Sequence, residues 1–418
     1  MKIKNIVKRD GRIKPFDFDR IMDAIHKAYV EIDGTDHTFY NQYSQLAGTI
    51  RTKLEAVDFE SIEVEQVQDI VVDSLKEVNV KVAKAYQNYR EKREEERLRN
   101  SAKEKFYTEV LECTNVDNDN ANVNQYSFSG RKYRIADYEQ KAYALRNLIS
   151  PEGRKAFEEG LLYYHDLASY AIGDFNCMNL DIQVGLSKGF KTRNGDVRPA
   201  NSFSTACQLV AVMFQCQSQV QYGGVGANCF DFSLEKYVKK SFKKYFIDGL
   251  IWLEGKSRKE AEILLGNWLM SIEDEHYKEM SKKAYEYAMA MLDREGKQSC
   301  EGLYHNLNTL ESRAGSQLPF TSINLGRNTS PEGRLINKWI FNASLKGIGK
   351  QNKTSIFPIS IFQYKKGVNA HEGDPNYDIK QLAIDSLCQR IYPNIVNGDY
   401  KQVVENPNDP NTFFATMG

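Results

Sequence analysis

The sequence predicts an α/β protein whose first hundred residues form a separate, mostly helical unit. Three observations carry this reading. Apolar residues recur at helical spacing in three stretches before residue 90. A segment dense in Asn and Asp, 115–124, then interrupts the chain. From about residue 170, short strand-like runs alternate with helix-like ones, the pattern of an α/β barrel or a layered sheet. A length of 418 residues exceeds one ordinary core and predicts two or three domains.

In chain order, residues 3–7 read as a short strand. Arg9-Asp10-Gly11-Arg12 reads as a tight turn, because Asp-Gly readily takes the positive φ of a hairpin. Ile21, Ala24, Ile25, Ala28 and Tyr29 then form one apolar stripe of a helix. Val67, Ile70, Val71, Leu75 and Val78 form a second stripe, and Val82, Ala85, Tyr86 and Tyr89 a third, which runs into the charge-dense stretch 90–99. Pairs such as Glu95 with Arg99 fit a solvated helix end there. Amphipathic helices resume over 137–165. Ser150-Pro151-Glu152-Gly153-Arg154, repeated at 330–334, has the Ser cap and N1 proline of a helix start. Residues 320–325 are strand-like and end at Gly326. Residues 354–362 are β-rich, with Pro358 marking an edge position or a strand start, and a helix follows over 377–391.

Lys plus Arg and Asp plus Glu both total 56. That balance gives no support to a nucleic-acid or membrane-surface protein, although a local cluster could still hold a nucleotide. No run of about 18 apolar residues predicts a membrane span, and the opening residues have no stretch of signal-peptide length. The expectation is a soluble, cytoplasmic protein. Cysteines at 113, 177, 207, 216, 229, 300 and 388 include no Cys-x-x-Cys pair. Most should be free thiols in a reducing compartment, with one or two available for chemistry.

Two regions could carry chemistry. The basic turn Val7-Lys8-Arg9-Asp10-Gly11-Arg12, close to a helix start with Arg20 and Ile21, could gather N–H groups and cations around phosphate oxygens. On spacing alone an ordinary basic hairpin is the favoured reading. Tyr163-Tyr164-His165-Asp166-Leu167 is followed by Asp174-Phe175-Asn176-Cys177, where a lone His and a lone Cys would by themselves read as structural residues.

The segment Ile6-Val7-Lys8-Arg9-Asp10-Gly11, together with Ala85-Tyr86-Gln87-Asn88-Tyr89-Arg90-Glu91-Lys92-Arg93, resembles the ATP-cone family. The resemblance covers residues 3 to about 95 and implies an ATP- or dATP-sensing switch of the kind found on ribonucleotide reductases. By motif position it implies nucleotide contacts at Lys8, Arg9, Gly11, Arg20, Ile21, Tyr89 and Arg93.

Further motifs are Asn118-Asp119-Asn120-Ala121-Asn122-Val123, Gln221-Tyr222-Gly223-Gly224, Ile356-Phe357-Pro358 and Asp374-Pro375-Asn376-Tyr377-Asp378. With the His165 and Cys177 segments, they resemble the anaerobic ribonucleoside-triphosphate reductases, a branch of the glycyl-radical enzymes. The resemblance implies a helical ATP-cone over 1–97, a linker and entry segment over 98–135, and over 136–418 an incomplete part of a ten-stranded α/β barrel. The implied reaction reduces ribonucleoside triphosphates by thiyl-radical chemistry. A radical at C3′ makes loss of the neighbouring 2′-hydroxyl as water feasible, and a second thiol returns a hydrogen atom at C2′. That second thiol maps onto Cys177, with His165 and Asn176 beside it as substrate-side groups. Helix N-terminus physics adds the turn 326–332, with Ser330, as a phosphate-binding element.

The family places its radical cysteine directly after a Met-Gly pair, and here the sequence reads Met417-Gly418. The resemblance therefore implies that the radical cysteine, a four-cysteine zinc site and the glycyl-radical loop lie in a C-terminal part supplied by a second polypeptide or by splicing. The chain by itself is expected to be inactive. Formate as reductant, an iron–sulfur, S-adenosylmethionine-dependent activase and a homodimer follow from the same resemblance. Two other readings are a nucleotide-binding regulator acting through the cone and a formate-lyase relative. The cone argues against the second, since those relatives ordinarily lack one.

Overall fold

The computed structural model describes residues 2–9, 11–34, 36–114, 123–173 and 175–399. The Asn118–Asn122 part of one motif, Asp10, Asp174 and the Met417-Gly418 terminus lie outside the described residues. The chain folds as two compact units, Met1–Glu112 and Cys113–Gly418.

In the first unit, strand β1 (Asn5–Val7) lies between β2 (Ile13–Pro15) and β3 (Ser61–Glu63). It is antiparallel to β2 and parallel to β3. The predicted turn closes the hairpin: the Lys8 N–H donates to the Arg12 carbonyl at 2.8 Å, and Gly11 takes φ +79°, where a side chain would be strained. Helices α1 (Asp19–Asp33), α2 (His37–Glu55), α3 (Val64–Val78), α4 (Val80–Arg99) and α5 (Ala102–Glu112) complete the unit. The three stripes form its core, with Ile25, Tyr29, Leu75 and Val82 fully buried alongside Ile50 and Leu54 of α2. Each such aliphatic side chain contributes about 1.5–3 kcal/mol. Tyr89, at the end of the third stripe, is exposed.

The second unit opens with α6 (Phe128–Asn147), α7 (Pro151–Glu158), α8 (Leu167–Ile172), β4 (Met178–Asn179) and α9 (Ile182–Lys188). A hairpin of β5 (Phe190–Thr192) and β6 (Gly195–Val197) leads to α10 (Phe203–Gln217), β7 (Val225–Ala227), α11 (Phe230–Glu254), α12 (Arg258–Leu265), α13 (Glu275–Met280) and α14 (Lys282–Thr309). Then follow β8 (Thr321–Leu325), α15 (Pro331–Lys346), β9 (Ile359–Tyr364), α16 (Tyr377–Arg390) and β10 (Asn394–Asn397). Both Ser-Pro starts are real: Ser150 and Ser330 accept from the N–H groups of Gly153 and Gly333 at 3.1 and 3.0 Å.

Five strands form one parallel sheet in the order β10-β9-β8-β7-β4. This is the predicted α/β alternation. The row has half the strands of the barrel that the resemblance implies, and the described residues do not close it. Pro358 marks a strand start, as one of its two readings had it, but β9 is interior and not an edge. Ile323, Leu325 and Phe362 face the core built with α11, α14 and α15. By the two-residue period, Ser322, Asn324, Gln363 and Asn179 share the opposite face. Gly296 of α14 lets Trp339 of α15 pack against its backbone, since a Cβ there would sit 2.2 Å from the indole. Among the described residues no helix is long and apolar enough to cross a membrane.

Candidate functional site: a thiol at the sheet end and two clefts in the small unit

Cys177 directly precedes β4, at the amino-terminal end of the parallel sheet. Its side chain is exposed, and its Sγ–H donates to Asn176 Oδ1 at 3.1 Å. The Gly224 N–H donates to Sγ at 3.3 Å. The loop carrying that N–H passes so close that a Cβ on Gly223 would lie 2.1 Å from the Asn176 carbonyl oxygen. Only glycine fits there, so the Gln221–Gly224 motif and the Asn176-Cys177 motif hold each other in place. Gln221 is buried and donates to the Gly224 carbonyl at 2.6 Å, fixing the loop from within.

Arg313, in the segment before β8, completes this end. Its guanidinium donates to the Tyr222 carbonyl and lies 3.8 Å from the centre of the Phe320 ring. Burial pulls its pKa down, opposed by Tyr133, Asp166 and Cys177. Those oppositions place Asp166 and the thiol within electrostatic reach of one cation. His165 is exposed and pairs with Asp166; no hydrogen bond joins it to Cys177 among the described residues.

Ser330 lies elsewhere. It follows the carboxyl end of β8, the opposite end of the sheet from Cys177. The turn before it has its donors engaged already. The Gly326 and Asn328 N–H groups donate to buried Asp231 Oδ2 at 2.9 and 3.1 Å, and Asn337 Nδ2 adds a third bond at 3.0 Å. Burial pushes the Asp231 carboxyl pKa up, against the pull of those donors. Glu332, one turn on, is also buried and accepts from the Ile272 N–H at 2.7 Å. The Ser330 hydroxyl caps α15 and bonds Glu235. A phosphate at this turn would meet two carboxylates.

The small unit has two adjoining clefts. One, of about 350 Å³, lies between the β1–β2 hairpin, α1 and α3, and is lined by Lys8, Lys14, Arg20 and Ile21. The other, of about 420 Å³, runs along α4 and is lined by Tyr89, Arg90, Arg93 and Arg97. Ala24, Gln68 and Tyr86 belong to both walls. The Arg93 Nε–H donates to the Tyr89 hydroxyl at 3.0 Å. Arg9 lines neither cleft. It pairs with Glu65 and donates to Gln68 at 3.3 Å. Arg90 pairs with the same Glu65 and, at 2.7 Å, with Asp69. Partial burial raises the Glu65 carboxyl, but the two arginines outweigh it and hold the pKa below its ordinary value.

The structure thus gathers Lys8, Arg20 and Ile21 in one cleft, Tyr89 and Arg93 in the other, and Asn176 with Cys177 at the sheet end. Sequence reasoning did not single out Lys14, Arg90, Asp231 or Arg313. Arg313 carries no local motif, and only the fold brings it to the thiol. Among the described residues no three His, Cys, Asp or Glu side chains gather as a metal site.

A small unit with two basic clefts thus precedes a parallel α/β unit with an exposed thiol at its sheet end. Residues 4–95 match the ATP cone domain, and residues 119–418 match the anaerobic ribonucleoside-triphosphate reductase family. The chain belongs to that family. It is 34% identical to the anaerobic ribonucleoside-triphosphate reductase of Haemophilus influenzae, over 99% of this chain and 54% of that protein. It is 32% identical to the Escherichia coli protein of the same description, over 96% and 52%. The chain spans about half the length of the curated relatives it matches. A solved anaerobic ribonucleotide reductase from Thermotoga maritima, in complex with dATP and CTP, aligns at 17% identity and TM-score 0.44 over 65% of this chain and 43% of that one.

Proposed function

We propose that this chain supplies the effector sensor and one of two reaction thiols of an enzyme that reduces ribonucleoside triphosphates to deoxyribonucleotides anaerobically. The observation that supports it is Cys177, clamped between Asn176 and the Gly224 N–H, in a chain of this family. Residues 1–97 act as the regulatory cone, 98–135 as the entry segment and 136–418 as the reductase part. ATP or dATP occupies the cone, with Lys8, Arg20 and Ile21 in one cleft and Tyr89 and Arg93 in the next. Arg9 acts through Glu65, and Gly11 shapes the turn.

In the substrate site, Asn176 and His165 serve as substrate-side hydrogen-bonding groups, and Cys177 holds a hydrogen atom on Sγ for return to C2′ after the hydroxyl leaves as water. Preorganisation of Asn176 and Cys177 lowers the barrier, because the loop contacts already fix those two. Ser330 shapes the α15 start. Formate is the reductant: ribonucleotide, formate and a proton give deoxyribonucleotide, carbon dioxide and water. The radical-starting thiol, a zinc site and the glycyl radical belong to a C-terminal reductase part that works with this chain. The active species is a cytoplasmic homodimer, activated by an iron–sulfur, S-adenosylmethionine-dependent enzyme.

The test is an anaerobic assay of the chain with that C-terminal part, formate and the activating enzyme. Turnover that disappears in Cys177→Ser while ATP binding persists is the expected result. Full turnover in Cys177→Ser would overturn the assignment. ATP binding without turnover in any pairing would favour the regulator reading.

A further inference from the structure

Three segments far apart in the chain meet at the amino-terminal end of the sheet. They are Phe175–Cys177 before β4, Gln221–Gly224 before β7 and Arg313–Phe320 before β8. Backbone bonds join the first two: the Tyr222 N–H donates to the Phe175 carbonyl at 3.1 Å, and the Met178 N–H donates to the Gly224 carbonyl at 3.0 Å. Two successive glycines, 223 and 224, have the widest backbone freedom, so the contacts on either side decide where the Gly224 N–H meets Cys177 Sγ. Gln221 supplies one contact, through the Gly224 carbonyl, and Arg313 supplies another, through the carbonyl of Tyr222.

Arg313 is itself firmly held. It is 8% exposed, its guanidinium lies against the Phe320 ring, and its backbone N–H donates to the Gln317 carbonyl at 3.1 Å. Its Nη1 is sealed from solvent, so no ligand reaches that atom. A permanent cation shut away from water is screened far less than a surface one. Cys177 and Asp166, the partner of His165, both lie within its electrostatic reach.

We infer that Arg313 is a positioning residue for the thiol: it fixes the Tyr222–Gly224 loop from behind and sets a positive field at Cys177. It acts through the loop and through its charge, and touches no substrate. The inference takes from the proposed function only that Cys177 is a reaction thiol.

The test uses the 418-residue chain and needs no turnover. Cys177 is alkylated at one pH with neutral iodoacetamide and with anionic iodoacetate, and the products are followed by peptide mass spectrometry. Both reagents meet the same sulfur, so the ratio of their rates reads local charge and cancels changes in thiol ionisation or exposure. The iodoacetate-to-iodoacetamide ratio should fall about threefold in Arg313→Gln and recover in Arg313→Lys. Hydrogen exchange at the Gly224 amide, read by NMR, should quicken about tenfold in Arg313→Gln. A purely structural role would change both alkylation rates alike and leave their ratio in place, and that result would overturn the inference. Should Arg313→Gln fail to fold, Arg313→Lys decides, because it keeps the charge and loses the planar guanidinium. Gly224 exchange should then quicken about threefold at an unchanged ratio. Exchange equal to that of the unaltered chain would overturn the inference. A failed alkylation test leaves the reductase assay standing, and a failed assay leaves these readings standing.

Discussion

The two units place their charges in opposite ways. In the cone, Glu65 sits between Arg9 and Arg90 with its side chain 41% exposed, and the cleft cations Lys14, Arg20, Arg93 and Arg97 are exposed to solvent. In the second unit, Asp231, Glu332 and Arg313 are buried, and the first two are held by N–H groups of loops distant in sequence. Surface charges of the first kind contribute little to stability and are available to a ligand. Buried charges of the second kind organise the backbone, and removing one leaves several donors unpaired. A turn rich in N–H groups is therefore no guide to a phosphate site unless the residues behind it are known.

That contrast can be broken at four points. The largest effect is expected from Gly223→Ala, whose Cβ would collide with the Asn176 carbonyl. Displacing the thiol by about 1 Å should lower turnover of the complete reductase about a hundredfold, with nucleotide binding to the cone unchanged. Next, Asp231→Ala should destabilise the second unit by about 3 kcal/mol, since three buried donors lose their acceptor. Urea unfolding should show one transition moved and the cone's transition in place.

A smaller effect follows from Arg20→Ala or Lys8→Ala, each of which removes a cation from the first cleft. ATP affinity measured by calorimetry should fall about tenfold, or about 1.4 kcal/mol. The smallest concerns Glu65. Its folded pKa is depressed, so its stabilising effect is present above the ordinary glutamate range and is lost as pH falls through the lowered value. Because the group is half exposed, the loss should stay below about 1 kcal/mol. Thermal unfolding of the cone at neutral and acid pH should show it, and Glu65→Gln should remove that part of the dependence.

How far the sequence could be read follows the same division. The three apolar stripes of the cone appear as its core because each lies on one contiguous helix, where spacing alone decides burial. The basic hairpin was equally local. Helix α2 was not foreseen, although Leu46, Ile50 and Leu54 keep helical spacing, because no cap or turn signal was recognised before them. In the second unit the strand before Gly326 and the Ser330 cap were visible, but Asp231 lies 95 residues earlier than the Gly326 N–H it accepts from. No local pattern can show that a distant carboxylate fills a turn. Cys177 was singled out only through its motif, and Arg313 had none.

The parallel sheet also imposes an order of arrival during synthesis. Parallel strands need long crossovers, so residues that meet at one sheet end are far apart in the chain. The cone's core is complete by Tyr86, long before the thiol site exists. Cys177 leaves the ribosome 136 residues ahead of Arg313. At about 5–20 residues per second, the thiol waits on the order of ten seconds for its guanidinium neighbour. A nascent chain therefore carries a finished cone while the surroundings of Cys177 are still being made.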